Sequence, residues 1–235
     1  MTRNESGVTS RGFLVTGTDT GVGKTLVASA LLRAFALSGL RAVGMKPVAT
    51  GCRSAAPARA NEDVAALIDA SSVRAPIDLI NPYCFEPPIA PHIAAQQTGT
   101  SISLARIRDC YLSLASLADR VVVEGAGGLL APLNRTEDFG DLVRSLELSV
   151  VLVVGMRLGC LNHALLTAEA IRSRGLLFAG WVANRIDGAM PFFEDNLETL
   201  RQKLPAPLIA IVPFAPDRAR ACAAINLDLL VARHP

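Results

Sequence analysis

Histidine is scarce in this sequence. His92, His163 and His234 lie too far apart to suggest a catalytic dyad. The five cysteines, Cys52, Cys84, Cys110, Cys160 and Cys222, are odd in number and show no C-x-x-C spacing. That pattern argues against a disulfide framework or a zinc site and predicts reduced thiols in a cytoplasmic protein. No apolar run reaches the roughly 18 residues of a membrane-spanning helix, so no membrane partner is expected. The opening "MTRNESGVTS" holds no apolar segment of the signal-peptide kind, and residues 1–11 are expected to form a flexible tail. Charge of neither sign dominates. With 23 Lys and Arg against 21 Asp and Glu the formal charge is +2, which gives no electrostatic case for nucleic acid. No repeat and no linker rich in Pro, Gly or Ser divides the chain.

What is present is apolar. A hydrophobic content of 51% excludes a disordered chain, and 235 residues suffice for one large α/β domain, expected over 12–235. Strands are predicted at 12–16, 41–48, 119–125, 149–155, 178–184 and 208–214. Helical spacing of Leu26, Val27, Ala30, Leu31 and Ala34 predicts a helix over 24–38, and Leu161, Ala164, Leu165, Ala168 and Ile171 predict another over 160–173. Strands apolar on both faces and separated by helices imply a mostly parallel central sheet flanked by helices on both faces. Ligands of such sheets gather at the carboxyl ends of the strands, where Lys46, Glu124, Arg157 and Asn184 fall. Residues 81–99, "NPYCFEPPIAPHIAAQQTG", carry four prolines and read as a long loop rather than an element.

The stretch "GTDTGVGKT" (17–25) follows the first strand and opens the first helix. Backbone N–H groups of such a loop and the helix N-terminus surround an anion. Lys24 would reach the β- and γ-phosphates and the Thr25 hydroxyl would ligate Mg²⁺, which makes this a P-loop NTPase-type fold that binds ATP or GTP. The loop is one residue longer than the common G-x-x-x-x-G-K-S/T pattern, because Thr18 stands where its first glycine would be. "RVVVEGAGG" (120–128) ends a strand on Glu124, where such folds hold the metal, and its glycines let a backbone approach a ligand closely. Lys46 in an apolar strand either meets an anion or a carboxylate or snorkels to the surface. Asn61 reads as a helix cap, with Glu62 and Asp63 in the first turn serving the helix dipole. "RLGCLNH" (157–163) offers helix-start N–H groups to an anion, as any helix does. Asn184 could pair with adenine N6 and N7, or simply form a turn.

Together, "GTDTGVGKT", "GMKPVATG", "NPYCFEPPIAPHIAA", "VVVEGAGG", "LVVGMRLGCLNHALLT", "GWVAN" and "LPAPLIAIVPF" resemble the dethiobiotin synthetases in order and over nearly the whole chain. The longer loop is that family's pattern. The neighbouring partitioning ATPases carry K-G-G-x-G-K-S/T, and Asp19 stands here at the position of their first lysine. The resemblance implies a homodimer that converts 7,8-diaminopelargonate, CO₂ and ATP into dethiobiotin, ADP and phosphate. It implies catalytic roles for Lys24 and Lys46, and Mg²⁺ held by Thr25, Asp63 and Glu124. ATP would be bound by Gly21, Val22, Gly23, Lys24, Thr25, Leu26, Asp63, Glu124, Gly125, Ala126, Gly127, Asn184, Arg185, Pro213, Phe214 and Ala215. Thr20, Lys46, Thr50 and Gly127 would face the diamine, and Gly159, Cys160, Leu161 and Asn162 would bind its carboxylate from the other subunit. Against that pattern, Gly21 replaces an acidic residue and Thr50 a serine. Two rivals are a partitioning-type switch ATPase stimulated by DNA or membrane, and an amidase of the cobyrinate type. The first wants a lysine at position 19 or a terminal basic amphipathic helix, whereas "INLDLLVARHP" offers only Arg233. The second needs a further glutamine-hydrolysing domain.

Overall fold

The computed structural model describes residues 11–53, 61–215 and 218–231. The expected tail therefore lies, except for Arg11, outside the described residues, as does Arg233. The chain runs β1 (Gly12–Gly17), α1 (Lys24–Leu37), β2 (Ala42–Met45), β3 (Val48–Thr50), α2 (Glu62–Ala70), α3 (Ile77–Ile80), β4 (Tyr83–Phe85), α4 (Pro91–Gln97) and α5 (Leu104–Leu117). It continues through β5 (Arg120–Glu124), α6 (Phe139–Ser145), β6 (Ser149–Gly155), α7 (Cys160–Ser173), β7 (Leu177–Asn184), α8 (Phe193–Lys203), β8 (Leu208–Val212), α9 (Arg218–Ala223) and α10 (Leu227–Val231).

The main sheet has the order β2-β5-β1-β6-β7-β8, and all its pairings are parallel. Alternation along the strands divides the core between the two faces. Leu14, Val121 and Val123 pack with Ile107 and Leu114 of α5, whereas Phe13, Val15 and Val122 pack with Val27, Leu31 and Phe35 of α1. A third cluster joins Leu152, Val154 and Trp181 to Ala164 of α7 and Leu200 of α8. Each fully buried large side chain contributes about 1.5–3 kcal/mol, which is what holds helices on both faces of an all-apolar sheet. Strand order reverses direction at β1, so the loop after β1 opens onto the crevice between the β5 and β6 sides of the sheet.

Two expected elements are corrected. The strand expected over 41–48 breaks at Lys46 and Pro47. Proline has no N–H for a ladder, and the Lys46 backbone turns to other partners. Lys46 N donates to Ile80 O at 2.8 Å, and Asn81 Nδ2 donates to Lys46 O at 2.6 Å. The chain then joins a second, two-stranded sheet in which β3 pairs with β4. Residues 81–99 are thus not a plain loop: they hold β4 and α4, and Pro91 opens α4, where a missing N–H costs nothing.

The expectation of reduced thiols is also corrected at one pair. Cys52 and Cys84 form a disulfide, because parallel pairing of β3 with β4 brings their Cα atoms to 6.0 Å. Cys110, Cys160 and Cys222 are free. Among the described residues no helix is long and apolar enough to cross a membrane. The link spans 32 residues of sequence, and closing such a loop is worth about 2–4 kcal/mol. Reduction is expected to lower the thermal midpoint by roughly 5–15 °C. Cys52→Ser should start from the lower midpoint and show no further loss in reductant; melts with and without dithiothreitol check this.

Candidate active site

The loop at 17–25 lies against the carboxyl end of β6 through Thr18 N donating to Val153 O at 3.0 Å. Its last glycine, Gly23, precedes α1 in a left-handed conformation (φ 93°), and a Cβ there would collide with the Asn184 amide. No side chain caps α1 and its first turn has no acidic residue, so its leading N–H groups are left for an anion. By contrast, α2 is capped: Asn61 Oδ1 accepts from Asp63 N at 3.0 Å and Val64 N at 3.3 Å. Asn61 also donates from Nδ2 to Thr50 O at 3.0 Å, tying the end of β3 to α2.

Register explains the next contact. Met45 of β2 is level with Val123 of β5, so Lys46 emerges beside Glu124. Lys46 Nζ donates to Glu124 Oε1 at 2.6 Å, Asp63 Oδ2 at 2.9 Å and Gly125 O at 3.3 Å, and the residue is only 4% exposed. Lys46 therefore does not snorkel. Thr25 Oγ1 lies 2.7 Å from Asp63 Oδ1 and 2.8 Å from Glu124 Oε1. Asp63 is thus part of the site as well as of the first turn of α2.

Burial pushes the Lys46 ammonium down, but Glu124 and Asp63 together outweigh it and hold its pKa above the ordinary lysine value. Burial likewise works against an ionised Asp63, yet Lys46, Thr25 and Lys24 keep its carboxyl below the usual range. Burial, with Asp63 adding to it, raises Glu124. Among the described residues Lys24 has no carboxylate within bonding distance. Its Nζ donates to Asp19 O at 2.9 Å, and burial first, then Lys46, push it down to about 8.

These groups line a cleft of about 650 Å³. Thr20, Gly21, Gly23, Thr50, Ala126 and Gly127 also face it, as do Pro88, Ile89, Ala90 and Pro91. The proline-rich segment therefore forms one wall, although the sequence had not shown which of its residues matter. Other residues expected in the site lie outside this cleft. Val22 packs in the α1 core and Leu26 packs against it, while Gly125 contributes its carbonyl to Lys46. Asn184 is buried and donates from Nδ2 to Val22 O at 2.8 Å, so it supports the loop from beneath. Arg185, Pro213, Phe214 and Ala215 gather at the ends of β7 and β8, where Arg185 N donates to Val212 O at 3.0 Å. Gly159, Cys160, Leu161 and Asn162 form the start of α7 and are absent from the lining of the cleft. Sequence reasoning missed Asn81, which holds the Lys46 carbonyl; it placed Arg157 at a strand end without a role, and there Arg157 pairs with Asp19. A polar residue buried between apolar neighbours was the available signal at Asn81.

The donor set suits a divalent cation. Among the described residues no cluster of three or more His, Cys, Asp or Glu exists, but two carboxylates and a hydroxyl supply hard oxygens that a triphosphate would complete. Glu124 Oε2 is buried without a hydrogen-bond partner, which leaves a lone carboxylate oxygen available to a metal.

A protein-family model described as an AAA domain matches residues 11–221. The septum site-determining protein MinD from Pyrococcus horikoshii, in its complex with Mg-ADP, is similar in structure (TM-score 0.53, 14% identity, 95% of this chain and 90% of that one). A ParA family ATPase from Chlorobium tepidum gives a TM-score of 0.51 at 13% identity over 96% and 94% of the two chains. At those identities the likeness speaks for the fold, and fold and loop together define a P-loop NTPase of the α/β class. Sequence similarity narrows this further. The chain is 54% identical over 204 residues to the ATP-dependent dethiobiotin synthetase BioD of Nitrosospira multiformis, covering 87% of this chain and 88% of that protein. It is 52% identical over 219 residues to the same enzyme of Aromatoleum aromaticum, covering 92% and 97%. The chain belongs to the ATP-dependent dethiobiotin synthetases, a family of ligases.

The low pKa of Lys24 has a stability consequence in the protein free of nucleotide and metal. Between about 8 and the ordinary 10.5 the unfolded chain holds this proton and the folded chain does not, so stability from this group rises with pH across that window. Lys24→Met is expected to be more stable than the native protein near neutral pH, with the advantage shrinking as pH rises through that window. Thermal melts at a series of pH values test this, and a pH-independent difference would contradict it.

Proposed function

We propose that this chain catalyses the ATP- and Mg²⁺-dependent carboxylation and ring closure of 7,8-diaminopelargonate with CO₂, giving dethiobiotin, ADP and phosphate. The observation that carries the reading is the Lys46 ammonium, buried yet bonded to both Asp63 and Glu124, on the wall of the cleft that the phosphate loop also lines. Loop backbone groups from Gly21 to Leu26 and the bare start of α1 hold the triphosphate, with Lys24 leaving the Asp19 carbonyl to meet it. Asn184, Arg185 and Pro213 to Ala215 hold the adenine. Thr25, Asp63 and Glu124 hold Mg²⁺, which when bound withdraws charge from the phosphate oxygens.

Thr20, Lys46, Thr50 and Gly127 face the diamine. Its carboxylate is held by Gly159, Cys160, Leu161 and Asn162 of a second copy, making the working form a homodimer, in the cytoplasm. An amine nitrogen attacks CO₂, an N–C bond forms and a proton leaves to water. Lys24 and Lys46 favour the neutral amine over its ammonium and then the carbamate anion that replaces it. The carbamate oxygen attacks the γ-phosphorus, the bond to ADP breaks, and the same two cations stabilise charge spread over the transferring group. The second amine attacks the carbamate carbon of this carbamic–phosphoric anhydride, closes the cyclic urea and expels phosphate, and the proton it loses leaves to water. No nucleophilic side chain takes part.

The test is phosphate release from ATP with diamine and bicarbonate each omitted in turn. Release that needs both supports the reading, and release independent of the diamine favours a switch ATPase. Lys46→Ala is expected to lower kcat by at least roughly 100-fold, far more than it lowers ATP affinity, as befits a group acting mainly in the transition state. Equal loss of both would remove the role assigned to Lys46.

A further inference from the structure

Arg157 leaves the carboxyl end of β6 beside the phosphate loop and takes no part in the chemistry above. Its Nη2 donates to Asp19 Oδ2 at 2.6 Å. Asp19 Oδ1 accepts from Thr20 N at 2.7 Å, and the Asp19 carbonyl is where Lys24 Nζ rests, at 2.9 Å. Gly155 N also donates to Thr18 Oγ1 at 3.4 Å, so loop and strand end are joined at consecutive residues. The Thr20 N–H, against the effect of burial and aided by Arg157, keeps the Asp19 carboxyl below its usual range. This loop therefore carries a full negative charge one residue from Thr20, which lines the cleft. A bare carboxylate there would repel a triphosphate. The ion pair is close to half exposed on both sides (43% and 46%), so it adds little to fold stability, and its effect falls instead on what the loop binds.

We propose that Arg157 is a positioning residue for ATP: it neutralises Asp19 and pins it to β6, so that the loop accepts a triphosphate and Lys24 is released toward it. This role rests on the reading of residues 17–25 as the ATP loop, and not on the identity of the second substrate. It also follows that Asp19 and Arg157 act as one unit, which a double-variant cycle resolves.

The experiment is equilibrium titration of ATP with Mg²⁺ into the native protein, Arg157→Gln, Arg157→Lys, Asp19→Asn and the Asp19→Asn, Arg157→Gln double variant. Arg157→Gln is expected to weaken ATP binding by roughly threefold to tenfold, with the loss shrinking as salt is raised. Arg157→Lys, which keeps the charge, should stay within about twofold of native. The double variant, which strands no carboxylate, should recover most of the affinity that Arg157→Gln loses. Unchanged thermal midpoints across the series would separate this from unfolding. Native affinity in Arg157→Gln overturns the proposal, and so does a double variant that binds no better than Arg157→Gln. Should Arg157→Gln fail to fold, the comparison rests on the remaining variants, and a double variant well below Asp19→Asn overturns it. Failure of the native protein to bind ATP would instead remove the loop reading, and this role with it.

Discussion

The Lys46 ammonium, lodged between Glu124 and Asp63, is the contact on which the site depends. Two carboxylates brought this close, Glu124 buried and Asp63 partly exposed, would repel each other and resist ionisation. A single cation reaching both removes that conflict, and it does so from a strand that must break to deliver it. Each side of the arrangement is costly alone. Burying either charge unpaired would cost several kcal/mol, and removing one partner from such a buried pair costs about 3–5 kcal/mol. Its retention in place of an apolar packing is understandable if the charges serve the ligand rather than the fold.

Charge balance around the cleft follows from this contact. Lys24 and Lys46 are matched in number by Asp63 and Glu124. The match is not one of pairs, because Lys46 takes both carboxylates and leaves Lys24 with only a backbone carbonyl. Burial and the neighbouring Lys46 then bring Lys24 to about 8, a cation short of partners and ready for an anion. Thr25 shares Glu124 Oε1 with Lys46 and takes the other oxygen of Asp63, so one hydroxyl links the start of α1 to α2 and β5. The nucleotide loop and the two carboxylates are thus a single connected unit, and a change in one is felt by the other.

Much of this was legible in the sequence, and the parts that were not share a reason. Short apolar runs, helical spacing and the glycine–lysine–threonine loop depend on local pattern, and β1, β5, β6, β7, α1 and α7 fall within a residue or two of their expected bounds. Glu124 was legible too, because a carboxylate closing an apolar strand stands out. Lys46 was ambiguous by itself, since nothing local says whether a lysine meets a carboxylate or reaches water; Glu124 lies far along the chain. The break at Pro47 depends on Ile80 O accepting from the Lys46 N–H and Asn81 Nδ2 donating to the Lys46 carbonyl, which is again a long-range matter. The Cys52–Cys84 link was unreadable for the same reason: an odd count without motif spacing says nothing until β3 lies beside β4.

Helix starts in this fold are of two kinds. Asn61 caps α2 and Asp138 caps α6 in a capping box, so their leading N–H groups are spent on side chains. Both α1 and α7 start differently. Each follows a glycine in the left-handed region, Gly23 at φ 93° and Gly159 at φ 92°, and neither has a side-chain cap or an acidic residue in its first turn. A capping side chain on extended backbone is worth about 1 kcal/mol, a contribution these left-handed glycine starts forgo. Both helices follow central strands, β1 and β6, which are hydrogen-bonded neighbours, so the two open ends stand side by side at the middle of the sheet. Arg157 and Asp19 lie between them. The Arg157–Asp19 ion pair thus neutralises a carboxylate that would otherwise stand beside two uncapped helix N-termini, whose positive ends favour negative charge.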